Sequence, residues 1–108
     1  LHVHASPDTK HMIDKNLLSL MKPNSYIVNT ARGEIVNEEH IVSALKNNRL
    51  SGYGADVVEH EFTDIKKSPI INAMNEGHNI IVTPHVGGST WEGSERAYMW
   101  SISKLKDL

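Results

Sequence analysis

The stretch Tyr26-Ile27-Val28-Asn29-Thr30-Ala31-Arg32-Gly33, running on through Glu34-Ile35-Val36 to Asn37-Glu38-Glu39-His40-Ile41-Val42-Ser43-Ala44-Leu45, sets out a strand, a turn and a helix in order. Tyr26-Ile27-Val28 is a short apolar run that reads as a buried strand. Asn37 precedes two acids, a cap followed by negative charge in the first helical turn, and Ile41, Val42, Ala44 and Leu45 then share one apolar face. This helix is predicted to end near Asn47-Asn48. The alternation continues on both sides. Upstream, Leu1-His2-Val3 reads as the end of a strand and Ala5-Ser6-Pro7-Asp8 as the turn after it. Asp14 then caps a short helix carrying Leu17, Leu18, Leu20 and Met21, which Pro23 stops. Downstream, Gly52 to Val58 reads as a third strand and Asn79-Ile80-Ile81-Val82 as a fourth, with a less regular stretch around Pro69 to Asn75 between them. Ser89-Thr90-Trp91-Glu92 matches a capping box, and Trp91, Tyr98, Ile102 and Leu105 follow at helical spacing, so residues 89–108 are expected to form a last amphipathic helix. Apolar strands separated by helices indicate a parallel sheet of the kind that helices cover on both faces. The fold class is therefore α/β.

Composition narrows the function. The chain has 108 residues, and 11 Lys and Arg against 13 Asp and Glu leave a net charge of −2 with histidine neutral. That balance argues against a protein driven by phosphate contacts to nucleic acid. With 39% apolar and 22% charged residues the chain can bury a core, and its length suits one domain or less. No apolar run approaches a membrane span, and the first residues lack the layout of a signal peptide. The absence of cysteine removes disulfides, thiolate nucleophiles and Cys-based metal sites, which makes a reducing cytoplasm the default expectation. Because Leu1 falls inside an apparent strand, a fragment is expected.

In open parallel sheets ligands sit beyond the carboxyl ends of the strands. The positions that follow the apolar runs are His4, then Asn29 to Gly33, then Asp56 to Glu61, then Thr83 to Ser89. Arg32 offers a fork of donors that can clamp a carboxylate, alone or with an adjacent carbonyl, in a way lysine does not copy. The plain alternative is a surface salt bridge. His85 is a candidate proton donor and acceptor, weighed against a simple turn residue after Pro84. Glu59 or Glu61 could orient its ring and favour its charged form. An arginine, a glutamate and a histidine at one edge make a site for a substrate with a carboxylate beside a carbonyl or hydroxyl.

Three motifs in this order, Thr30-Ala31-Arg32-Gly33, then Gly52-Tyr53-Gly54-Ala55-Asp56-Val57 with Glu61 five residues past Asp56, then Thr83-Pro84-His85-Val86-Gly87-Gly88-Ser89-Thr90, carry a resemblance. The sequence resembles the D-isomer-specific 2-hydroxyacid dehydrogenases, the phosphoglycerate dehydrogenase-like members most of all. Leu1-His2-Val3 through Thr9 to Ile13 is similar to that family's segment after its pyrophosphate loop, so the resemblance covers essentially the whole chain. It implies a partial Rossmann-like, doubly wound parallel sheet, with residues 1–108 the second half of a NAD-binding domain and 89–108 leading back toward a substrate domain outside them. The implied activity is hydride transfer between NAD(H) and a D-2-hydroxy or 2-oxo acid, 3-phosphoglycerate-like among the candidates. In that activity Arg32 orients the substrate, His85 is the acid and base, and Glu61 rather than Glu59 pairs with His85. Asp56, Thr30, Ala31 and Arg32 would lie beside the nicotinamide end of the cofactor, and the backbone from His85 through Gly87 and Gly88 would close over it. His4 would lie beside the adenosine, where the family usually has proline; Phe62 also replaces a family proline. The glycine-rich pyrophosphate loop has no match, and Gly52 and Gly54 read as strand glycines that allow close packing. The implied partners are a small 2-hydroxy or 2-oxo acid and a second copy in a homodimer, with no nucleic acid, membrane or metal ligand set. A half sheet leaves an edge and a face uncovered, so self-association is expected, with weak NAD binding and little turnover by these residues alone.

Two other readings compete. His2 and His4, on one face of a strand, could join His60 or His85 around a divalent metal. A nucleotide-sensing protein of the same superfamily could keep Arg32, Glu61 and His85 without turnover. Trp91, Tyr98 and Trp100 are expected to anchor a core or subunit interface, since no basic patch surrounds them.

Overall fold

The computed structural model describes residues 1–106; the last two positions of the expected 89–108 helix lie outside the described residues. Helices α1 (Lys15–Leu20), α2 (Glu38–Lys46), α3 (Pro69–Asn75) and α4 (Trp91–Lys106) alternate with strands β1 (Ser25–Asn29), β2 (Leu50–Ala55) and β3 (Ile80–Val82). The strands form one open parallel sheet in the order β1-β2-β3. Asp14 caps α1, accepting from the Asn16 and Leu17 amides, and Asn37 caps α2, accepting from His40 N–H. The Pro69–Asn75 stretch, expected to be irregular, is helical: Ser68 caps it and Pro69 occupies its first turn, where a missing N–H costs nothing. At α4 the cap is Thr90, whose hydroxyl accepts from Gly93 N–H, and not Ser89.

Two strand boundaries also differ from expectation. Leu1-His2-Val3 is not a strand; it is tethered beside β1 by the Leu1 amine donating to Val28 O and by Thr30 Oγ1, which lies 3.4 Å from both Leu1 O and His2 Nδ1. The third expected strand starts earlier, at Leu50, and stops at Ala55, because the Asp56 side chain turns to a neighbouring loop while Val57 and Val58 leave the ladder to be buried.

Helices α1 to α3 and one face of the sheet enclose the core, where Ile35, Val36, Ile41 and Ile70 are fully buried, each contributing roughly 2 kcal/mol of hydrophobic stabilisation. The other face is open. Tyr26, Val28 and Ile81 point from it with 66%, 57% and 70% exposure. Gly52 belongs to the same face, where a Cβ would stand 2.8 Å from the Tyr26 ring, so the reading of strand glycines as close-packing devices holds there. It does not hold at Gly54, where a Cβ would make ordinary contacts of 3.6 and 3.8 Å. None of the α4 residues described is buried, and Trp91, Tyr98, Met99, Trp100, Ile102 and Leu105 are exposed. Among the described residues no helix is long and apolar enough to cross a membrane.

Candidate active site

Strand register decides which side chains meet. Asn29 pairs with Ala55 and Ala55 with Val82, so the residues that follow, Thr30, Asp56 and Thr83, lie abreast just past the sheet's carboxyl edge. Two backbone bonds continue the ladder into this edge, Asp56 N–H to Asn29 O and Thr83 N–H to Ala55 O. Fully buried Asn29 shapes the first of the three segments. Its amide nitrogen donates to Arg32 O at 2.9 Å, and its oxygen accepts from Ala31 N–H at 3.0 Å, closing the Thr30–Arg32 turn. The exposed Arg32 guanidinium folds back onto Ala31 O at 2.6 Å.

The third segment is organised by Asp56. One carboxylate oxygen accepts from Thr83 Oγ1 (2.5 Å) and Val86 N–H (3.0 Å), the other from Gly87 N–H (2.8 Å). The Thr83 hydroxyl first, then the Gly87 and Val86 amides and the nearby His85, hold its carboxyl below the usual carboxylate range. A Cβ at position 87 would stand 2.8 Å from the Asp56 carboxylate, so glycine is what lets this loop close. The loop carries His85 at a φ of 54°, left-handed backbone that a residue with a Cβ adopts only when its surroundings enforce it. Because the folded value of Asp56 is depressed, its stabilisation is complete above about pH 4, the unfolded value, and is lost as pH falls through the folded one. Asp56→Asn is therefore expected to melt below the parent at pH 7, with the gap closing toward pH 3. Parallel melting curves across that range check it, and a gap that stays constant would contradict the assignment.

The second segment delivers the partner of His85. Glu61 Oε1 lies 2.8 Å from His85 Nδ1, while the other Glu61 oxygen accepts weakly from Val58 N–H at 3.4 Å. The Phe62 ring leans on His85 with centroids 5.9 Å apart. Glu59 turns elsewhere: both of its oxygens approach His11 Nε2, at 3.1 and 3.2 Å. Of the two glutamates the residues alone left open, Glu61 is the one at the imidazole.

Three clefts line this edge. Arg32 and Gly33 share one of about 310 Å³ with Glu61 and Phe62. Glu61, Phe62 and His85 share a second, apolar one of about 290 Å³ with Ile65, Met74 and Val82. Glu61 and Phe62 thus stand between Arg32 and His85. Arg32 also closes a third cleft, of about 370 Å³, with His2, His4, Thr30 and Ala31. Asp56, Gly87 and Gly88 lie at the same edge, and a Cβ at Gly88 would meet nothing within 4 Å. His2 and His4 are not in a strand, and among the described residues no group of three or more His, Asp or Glu is placed to hold a metal ion. Two participants escape a reading of the sequence: His11, which meets the Glu59 carboxylate, and Glu38, which accepts from Glu59 N–H and Ser68 Oγ. Their partners lie 21 to 48 residues away along the chain, and contacts at such separations leave no mark in composition or periodicity.

Comparison with known proteins identifies similar chains and folds. A family model described as D-isomer specific 2-hydroxyacid dehydrogenase, NAD binding domain, matches residues 1–87. The chain is 36% identical over 105 residues to D-3-phosphoglycerate dehydrogenase of Escherichia coli strain K12, covering 97% of this chain and 25% of that protein. Its fold is similar to the crystal structure of a D-lactate dehydrogenase from Aquifex aeolicus complexed with NAD and lactic acid, with a TM-score of 0.71, 32% identity, and coverage of 98% and 35%. It is also similar to an acyclic imino acid reductase in complex with NADPH and D-Arg, with a TM-score of 0.77, 34% identity, and coverage of 98% and 32%. The chain thus spans about a quarter to a third of the length of these relatives.

Proposed function

The chain belongs to the D-isomer specific 2-hydroxyacid dehydrogenases, in their NAD-binding domain, and on that basis we propose that the protein interconverts a D-2-hydroxy acid and its 2-oxo acid with NAD(H). Residues 1–108 would form the second half of that domain. The observation that carries the reading is the 2.8 Å contact between Glu61 and His85 Nδ1, in clefts that Glu61 links to Arg32.

The residues suit the cofactor. None of those lining the third cleft, His2, Val3, His4, Ala5, Thr30, Ala31 and Arg32, is acidic, so an anionic dinucleotide meets no like charge there. These residues, with Asp56 and the backbone of His85, Gly87 and Gly88, would hold it. When bound, the nicotinamide supplies or takes up the hydride. The chain's own side chains do the rest. Glu61 accepts the Nδ1 proton of His85, which fixes the tautomer and leaves Nε2 to give a proton to the oxo oxygen or take one from the hydroxyl. The carboxylate also stabilises the ring while it is charged. Arg32 unfolds from Ala31 O to grip the substrate carboxylate through two parallel bonds.

A 3-phosphoglycerate-like acid is the first substrate to try, because the Escherichia coli relative bears that name. The test is an assay of the full-length protein with NADH and a panel of 2-oxo acids, the oxo acid of 3-phosphoglycerate and short apolar ones among them. Turnover of at least one is expected; tight NADH binding with no turnover of any would point instead to a nucleotide-sensing role. Arg32→Lys keeps the charge but loses one charge-assisted bond, about 1.5–3 kcal/mol. KM for the oxo acid should rise roughly tenfold to a hundredfold.

A further inference from the structure

The stretch that presents Glu61 has little apolar anchorage. From Glu59 to Lys67 no residue is buried, although Val58 before it and Ser68 after it are. Something other than hydrophobic burial must hold the loop at His85. Glu38, in the first turn of α2, is 3% exposed, and among the described residues no cation pairs with it. Its Oε1 accepts from Glu59 N–H at 2.8 Å, and its Oε2 accepts from Ser68 Oγ at 2.5 Å. One buried carboxylate therefore staples the beginning of the loop to its end. Ser68 is itself fixed as the cap of α3. A carboxylate taken out of water without a countercharge is costly unless hydrogen bonds replace its hydration, and apolar residues would fill the space more cheaply. What Glu38 contributes is geometry.

We propose that Glu38 is a positioning residue that holds the Glu59–Ser68 loop so that Glu61 meets the His85 imidazole. The inference rests on the functional reading above, in which the Glu61–His85 couple moves the proton. Glutamine at position 38 keeps the shape and can still accept from Glu59 N–H, but it meets Ser68 Oγ only by donating to an oxygen that already accepts from Ile71 N–H, and both of its bonds are neutral where the carboxylate's are charge-assisted. Both staples are then weaker and the one at Ser68 is reversed, so Glu61 is held less firmly at its distance from the ring. Displacement of a catalytic group by about 1 Å costs up to roughly a hundredfold in rate.

The experiment compares the full-length parent with Glu38→Gln and with Glu39→Gln, which removes a charge from the same helical turn at an exposed position. Two quantities are read well below the melting temperature: steady-state kinetics with NADH and a 2-oxo acid, and the proton NMR resonance of His85 Nδ1–H, visible while Glu61 accepts it. Glu38→Gln should lower kcat roughly tenfold to a hundredfold with KM changed little, and should broaden or erase the Nδ1–H resonance. Glu39→Gln should change neither. A folded Glu38→Gln protein that retains the resonance and the parental kcat overturns the proposal, whatever its melting temperature. If the parent itself turns over no 2-oxo acid, the functional reading fails, while the resonance still decides whether Glu38 positions the pair. Should Glu38→Gln not fold, Ser68→Ala removes one of the two donors with Glu38 intact: loss of the same resonance supports the proposal, and its persistence overturns it.

Discussion

Gly33→Ala is expected to destabilise the protein by about 3 kcal/mol or more and to separate Arg32 from the Glu61 loop. The reason is proximity rather than backbone conformation. A Cβ at position 33 would lie 2.1 Å from Val58 C, 2.3 Å from Glu59 N and 2.5 Å from Val58 O. These are main-chain atoms, so no rotamer change relieves the overlap; either the turn after β1 or the segment after β2 must shift. Both are held. The turn is closed by buried Asn29, and the segment after β2 by buried Val57 and Val58 and by Glu38. Overpacking a well-filled site costs about 1–3 kcal/mol and sometimes more, and a collision with backbone belongs at the upper end. In a domain of this size that corresponds to a fall in melting temperature of roughly 10 °C or more. The control is Gly54→Ala, whose new Cβ would sit in ordinary contact with the Val28 methyls and should shift the melt little. Melting curves of both variants decide the matter. A Gly33→Ala protein as stable as the parent would mean that the two segments are not packed together in solution, and the shared cleft of Arg32 and Glu61 would go with that packing.

That same contact shows where the sequence is legible and where it is not. Strand β1, helix α2 and the cap at Asn37 follow from periodicity and capping chemistry, which are local. His85 and Glu61 stand out because motifs at strand ends, in the right order, carry a resemblance. Helix α3 reads as irregular because its seven residues offer barely two turns of pattern, although Ser68-Pro69 is a start signal in its own right. The Leu1–Val3 strand fails for a different reason: an apolar run becomes a strand only when a neighbour supplies a ladder, and here the run has one main-chain bond to β1, the rest coming from the Thr30 side chain. The contacts that Glu38 and Gly33 make with Val58 and Glu59 are beyond reach for a third reason. They fall on main-chain atoms that the fold brings in from another segment, and any residue can present an N–H or a carbonyl. On the uncovered sheet face Tyr26, Val28 and Ile81 are apolar and yet exposed, an exposure that strand periodicity by itself does not reveal.

His85→Gln in the full-length protein is expected to lower kcat by roughly 10² to 10⁴, the usual contribution of a positioned acid or base, with NADH affinity nearly unchanged. Glutamine keeps polarity and approximate size but has no proton to exchange near neutral pH, so the pH dependence that the imidazole imposes on kcat should flatten as well. Glu61→Gln should be milder. It exchanges a charge-assisted bond at His85 Nδ1 for a neutral one, about 1.5–3 kcal/mol or roughly a tenfold to hundredfold loss. The decisive measurement is the double variant. If Glu61 acts only through the ring it touches, nothing remains for it to do once the ring is gone, and the pair of substitutions should be no worse than His85→Gln alone. Losses that multiply would mean that Glu61 serves the reaction by a route independent of His85, through the substrate or the loop it stands on. The 2.8 Å contact would then be a structural link and not the means by which Glu61 acts on the reaction.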